Sequence, residues 1–289
     1  MRHSRDILGT LFATTTMTVI HLTGNKKMRH FHKNKLGHLF IVSLYHNIAH
    51  MKKLATLLFS IFIIAAKAAA QQAILQEDLA LKYLVQLPTQ KSANPPVVIL
   101  LHGYGSDERD LFELRNFFPK NYMIIAARAP YKLPNGYQWY EMTEVNGIHD
   151  GNPAQLTNSR NQIKKFINQV ISKYHADPKA VYLSGFSQGA IMSYQVGLTA
   201  PQMLRGIAVL SGTIYPSLKP LVKKSASLSE LKIFISHGNV DDRIPFTDGL
   251  AASDYLEKLG LNPDFHKYVG MGHSISKDVL FDFVNWLKK

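Results

Sequence analysis

Cysteine is absent from the 289 residues. That absence excludes disulfides, thiolate zinc sites, iron–sulfur clusters and a cysteine nucleophile. A lipid-anchoring cysteine is excluded with them. The compartment stays open, because exported proteins also fold without disulfides. Charge is sparse as well: 18% of residues are charged against 46% hydrophobic, too apolar a balance for a disordered chain. The length suffices for one large core or two domains.

Acidic residues are the scarcer sign, 20 against 33 basic, for a net charge of +13. Such an excess suggests a polyanionic partner. Its distribution argues against one. Residues 1–50 hold +6 and Lys52, Lys53 and Lys67 add +3, leaving +4 for residues 71–289. No nucleic-acid recognition motif accompanies the charge, so nucleic acid is not an expected partner.

Residues 51–72 read MKKLATLLFSIFIIAAKAAAQQ. A basic start, an apolar run from Leu54 to Ala66 and the small residues Ala68-Ala69-Ala70 have the layout of a secretory signal. The apolar run is shorter than the roughly 20 residues of a spanning helix. The expected mature chain starts near Gln71 and is periplasmic or secreted. Residues 1–50 then stand upstream of a segment that normally leads its protein. They are basic, without periodicity, and hold seven of the thirteen histidines. We read them as a non-native or disordered extension, with Met51 as the start of translation. A histidine-rich metal tail is the rival reading, weakened by irregular ligand spacing around "HFH".

From residue 79 onward, apolar runs alternate with helical patterns. Strands are expected over 81–87 (alternating, as an outer strand), 97–101, 123–127, 181–183, 206–210, 232–235 and 264–269. Helices are expected over 158–175, 247–259 and 276–288. Alternating strands and helices predict a single α/β domain over 71–289, with a mostly parallel twisted sheet and helices on both faces.

Gly185-Phe186-Ser187-Gln188-Gly189 fits G-x-S-x-G, with the strand-like VYL before it and the helical AIMSYQVGL after it. That context suits a serine held on a sharp turn above a sheet, with the N–H of Gln188 facing a developing oxyanion. A serine hydroxyl needs a base. A carboxylate should then orient that base. His273, in GMGHS after the late strand, is the candidate base. The acid should follow the strand KIFIS, where Asp241 and Asp242 are adjacent and spacing does not choose between them. A second oxyanion donor should come from the turn His102-Gly103-Tyr104-Gly105, with the N–H of Tyr104 as candidate. His102 and His237 each precede a glycine after a strand. We read both as turn histidines rather than a metal pair, since no third ligand is apparent.

With LHGYG at 101–105, RAPY at 128–131, GYQWYE at 136–141, GFSQGA at 185–190, SHGNVDDRIP at 236–245 and GMGHS at 270–274, the chain resembles the phospholipase/carboxylesterase family of α/β-hydrolases over residues 80–289. The resemblance implies an α/β-hydrolase fold and no metal or organic cofactor. It selects Asp241, four after His237 and four before Pro245. It also places the oxyanion donors on Tyr104 and Gln188. The signal-like segment departs from the many cytosolic relatives and puts an acyl-protein substrate in doubt.

The expected function is hydrolysis of short- to medium-chain carboxylic esters, a small-molecule substrate. Lysophospholipase, thioesterase and plant-polysaccharide esterase activities are alternatives. A peptidase is disfavoured because no appended domain gates a peptide. A non-catalytic binding protein is disfavoured because every expected triad position is filled. No basic amphipathic helix is seen for membrane docking, and no stable insertion is expected after signal cleavage. Trp139 and Tyr137 are expected either to wall a substrate pocket or to pack as a folded loop.

Overall fold

The computed structural model describes His50, Met51, Lys53, residues 74–90 and residues 92–289. The expected extension and signal segment otherwise lie outside these residues. The chain divides into two units, Met1–Gln71 and Gln72–Lys289. The second carries the fold that follows.

In chain order its elements are β1 (Tyr83–Gln86), β2 (Val97–Leu101), α1 (Glu108–Phe112) with a 3-10 turn at Glu113–Phe117, and β3 (Met123–Ala127). Two small hairpins come next, β4 (Tyr131–Lys132) with β5 (Tyr137–Gln138) and β6 (Met142–Val145) with β7 (Ile148–Gly151). Then follow α2 (Pro153–Tyr174), β8 (Val181–Phe186), α3 (Gln188–Gly197), β9 (Gly206–Leu210), α4 (Ala226–Ser229), β10 (Lys232–Gly238), α5 (Phe246–Lys258), β11 (Asp264–Tyr268) and α6 (Lys277–Leu287).

Seven strands form one sheet in the order β1-β3-β2-β8-β9-β10-β11. Only β1 runs antiparallel to its neighbour. The continuous apolar runs mark strands covered on both faces. In β2, Val97, Ile99 and Leu101 join one core with β8 and the α2 residues Ile163, Phe166, Ile167 and Val170. Val98 and Leu100 join a second core with α1 and the α6 residues Val279, Phe283 and Trp286. The outer strand departs from strict alternation: Tyr83 enters the first core and Leu84 the second, because both faces are covered even at this edge.

α2 begins five residues before the expected start. Asn152 caps it by accepting from the N–H groups of Ala154 and Gln155, and Pro153 fills the first helical position. The sheet also sets where chemistry can occur. The chain leaves β2 for β3 on one side and returns to β8 on the other, so β2 and β8 flank the switch point. Ligands in such sheets bind beyond the carboxyl ends of strands at that crevice. The turns after Leu101 and Phe186 meet there, since Leu101 and Gly185 are partners in the ladder.

Candidate active site

Ser187 sits between β8 and α3 with φ 55° and ψ −116°, a left-handed backbone that a serine adopts only under tertiary constraint. Two hydrogen bonds supply that constraint. Its N–H donates to the Leu210 carbonyl (3.0 Å) and its carbonyl accepts from the Ile191 N–H (3.1 Å). The flanking glycines are needed for close approach rather than for freedom. A Cβ on Gly185 would lie 2.2 Å from Gly189, and one on Gly189 would lie 2.0 Å from the Leu101 carbonyl oxygen. The first turn of α3 therefore rests directly on the end of β2. Ser187 itself is partly exposed, whereas Gln188 is 2% exposed.

The turn His102–Gly105 lies against the elbow, with a Cβ on Gly103 only 3.5 Å from that of Ser187. His102 is buried and fully engaged. The Ala129 N–H donates to its Nε2 (3.0 Å), so Nδ1 carries the proton and donates to the Gly103 carbonyl (2.7 Å). Burial pushes this imidazole below its ordinary value, against the pull of the Gly103 carbonyl. It is a neutral structural histidine. The Tyr104 side chain is half-exposed.

Asp241 and His273 come together. His273 Nδ1–H donates to Asp241 Oδ2 at 2.8 Å. The other carboxylate oxygen accepts from the Arg243 and Ile244 N–H groups, both at 2.9 Å. Burial alone would raise the Asp241 carboxyl. The hydrogen bond from His273 and the two backbone N–H groups outweigh it and hold the group below the usual carboxylate range. Asp242, its rival in the sequence, is exposed. His237 supports the acid: its Nε2–H donates to the Ile244 carbonyl (2.9 Å) and lies 3.5 Å from Asp241 Oδ2. The acid and base loops are joined by Asn239 N–H to the Tyr268 carbonyl and Val240 N–H to the Met271 carbonyl. The His273 ring lies 4.7 Å from the ring of Phe186, the residue before Ser187, and its side chain is 14% exposed. The bonded Asp241–His273 pair and the Ser187 turn thus both lie beyond the carboxyl ends of the parallel strands, with the Phe186 ring against His273. Among the described residues, no group of three histidine, aspartate or glutamate side chains could hold a metal ion.

The aromatic stretch corrects the expected pocket wall. Trp139 is completely buried, so its ring offers no surface to a substrate. Its Nε1–H donates to the His102 carbonyl (2.9 Å) and its backbone N–H to Gln188 Oε1 (2.7 Å). Tyr137 is partly buried and occupied by Arg128, whose Nη1 donates to the phenol oxygen (3.1 Å) and whose guanidinium lies 4.6 Å from the ring centre. Arg128 in turn forms a two-bond pair with the buried carboxylate of Glu108 (2.5 and 2.7 Å). The packed-loop alternative describes Trp139, whereas Tyr137 keeps part of its surface open. Sequence reading missed Gln188's side chain, Glu108 and Arg128 as supports of the site. The RAPY segment carried the only hint, an arginine directly after an apolar strand.

The Phospholipase/Carboxylesterase family profile matches residues 83–289. Acyl-protein thioesterase 1 of Saccharomyces cerevisiae is 33% identical over 213 residues, 66% of this chain and 91% of the yeast protein. The structure of esterase PE8 is similar at 28% identity and TM-score 0.61, covering 71% of this chain and 96% of that one. A carboxylesterase from Mesorhizobium loti shares the fold at 19% identity and TM-score 0.63, over 75% of this chain and 99% of that one.

Proposed function

Because this chain belongs to the phospholipase/carboxylesterase family and is an α/β-hydrolase, we propose that it hydrolyses short- to medium-chain carboxylic esters through Ser187, His273 and Asp241. The observation that carries the reading is the His273–Asp241 hydrogen bond at 2.8 Å, taken with a serine held at φ 55° whose preceding residue, Phe186, packs its ring against His273. His273 takes the Ser187 proton at Nε2 as the oxygen attacks the ester carbonyl. Asp241 keeps the other ring proton on Nδ1 and stabilises the imidazolium. The N–H groups of Tyr104 and Gln188 hold the oxyanion, and loss of one such donor typically costs roughly 10²–10³ in rate. The alcohol leaves with the proton from His273. Water then attacks the acyl-enzyme, again deprotonated by His273, and releases the acid.

Tyr104 is half-exposed and Phe186, next to Ser187, is partly exposed, and this open aromatic surface supports an apolar acyl chain. Thioester hydrolysis is the second reading, favoured by the name of the yeast relative. We also propose export, supported by the MKKLATLLFSIFIIAAKAAAQQ segment. N-terminal sequencing of protein from culture fractions tests it. A terminus near Gln71 is expected, and an intact Met51 segment on cell-retained protein contradicts it.

The test of activity compares the whole chain with its Ser187→Ala variant on p-nitrophenyl esters from acetate to palmitate and on matching thioesters. Serine-dependent turnover with an optimum at the shorter oxoesters is expected. An undiminished rate in the variant overturns the assignment.

A further inference from the structure

We propose that Trp139 is a positioning residue that braces the two oxyanion donors against each other. This rests on the assignment of the Tyr104 and Gln188 N–H groups above and deepens it. Those donors lie on separate elements, one on the turn after β2 and one on the first turn of α3. Stabilising an oxyanion requires both to be held in place before the charge develops. The ladder between β2 and β8 ends at Leu101 and Gly185, short of either donor.

Beyond the ladder the two turns touch through Gly103 and Gly189, and Trp139 adds hydrogen bonds to both sides. Its indole N–H donates to the His102 carbonyl, two residues before Tyr104, at 2.9 Å. Its backbone N–H donates to Gln188 Oε1 at 2.7 Å, and Gln188 Nε2 donates back to the Tyr140 carbonyl at 2.7 Å. Ser159 Oγ fixes the brace from behind by donating to the Trp139 carbonyl at 2.5 Å. Trp139, His102, Gln188 and Ser159 are each no more than 2% exposed, so water does not compete for these bonds. A lost bond leaves a buried polar group without its partner. Packing alone would require only an aromatic ring. Here the indole N–H and the amide N–H of one residue reach the two turns that carry the donors.

The test uses Trp139→Phe in the whole chain, which keeps an aromatic ring and removes the indole donor together with some ring volume. An error of about 1 Å in a catalytic group costs up to about 10²-fold, and a slackened brace should cost about tenfold. The loss is expected in kcat with KM little changed. Affinity for a trifluoromethyl ketone, whose hemiketal oxygen occupies the oxyanion position, should fall by the same factor. Titration with an organophosphonate counts competent sites. A partly unfolded sample would show fewer sites, each with parental turnover. Ser159→Ala is the second variant, expected to show a smaller loss with the same kcat signature, and it decides the matter if Trp139→Phe does not fold. Parental kcat per titrated site overturns the brace, as does a loss carried in KM with inhibitor affinity unchanged. The underlying mechanism fails separately: a fully active Ser187→Ala removes both readings, whereas an inactive one beside a normal Trp139→Phe removes only the brace.

Discussion

The elbow at Gly185–Gly189 and the aromatic stretch at Pro130–Glu141 use their side chains in opposite ways. At the elbow, Ser187 is partly open, and its glycine neighbours matter through the atoms they lack. In the aromatic stretch, Trp139 and Tyr140 are buried and face the interior. The backbone and ring N–H groups of Trp139 hold the neighbouring turns, and the Tyr140 carbonyl accepts from Gln188. One region presents a reactive group, and the other fixes where that group's partners stand. The difference teaches that proximity to the site in sequence motif does not distinguish a contact with substrate from a support beneath it. Burial and hydrogen-bond direction do.

Substitutions can break this comparison at either end. The largest effect is expected for Ser187→Ala, a loss of about 10⁴-fold or more in kcat with the thermal midpoint retained. Asp241→Asn should follow at about 10³- to 10⁴-fold, because the amide no longer fixes the His273 tautomer. Steady-state rates with melting curves check both. In the aromatic region stability should suffer first. Glu108→Gln leaves Arg128 without its carboxylate at a site where the guanidinium side chain is 12% exposed. A loss of about 3 kcal/mol is expected by denaturant unfolding. A loss of activity without one of stability would place Glu108 with the reacting groups instead. The smallest mutational effect is expected for Tyr137→Phe, which removes the acceptor for Arg128 Nη1. About 1 kcal/mol of stability should go, with kcat unchanged. A changed substrate preference in that variant would place Tyr137 in the pocket instead.

Acid sharpens the contrast further, because two groups respond in known directions. His102 has a folded-state value below its ordinary 6.5, so the unfolded chain binds its proton first. Its contribution is complete above 6.5 and declines as pH falls below it. Asp241 also has a depressed value, and its contribution is complete above the ordinary 3.8 and disappears as pH falls further. The wild-type melting temperature should therefore begin to drop below pH 6.5. His102→Gln should flatten the first part of that decline relative to its own maximum. An unchanged slope would remove His102 as its cause.

Much of the sheet was legible in the sequence because buried parallel strands are continuous apolar runs. The stretches VVILL, MIIAA and GIAVL became β2, β3 and β9 with the expected limits. The start of α2 was misplaced because the cap and its proline precede the apolar periodicity. The small hairpins β4–β5 and β6–β7 had no such signal, being too short for alternation to emerge. Within the site, the turns that carry Ser187, Asp241 and His273 were legible from their glycines and their order along the chain, and only the family resemblance favoured Asp241 over Asp242. Spacing did not separate Asp241 from Asp242; the structure differs at the two by burial and by the bond to His273. The role of Trp139 was not legible, since an indole reads the same whether it faces a ligand or a carbonyl. Its direction depends on Gln188 and His102, far away along the chain and adjacent only after folding.

The left-handed serines offer the most direct decision. Ser187 and Ser211 both have φ above 50° after adjacent strands, but Ser211 is fully buried and its hydroxyl has no hydrogen-bond partner. The whole chain should be treated with a fluorophosphonate, digested and mapped by mass spectrometry. A single adduct on the peptide containing Ser187, lost when His273 is changed to alanine, is the expected result. An unlabelled protein, or an adduct on another serine, would contradict the central claim that Ser187 is the nucleophile.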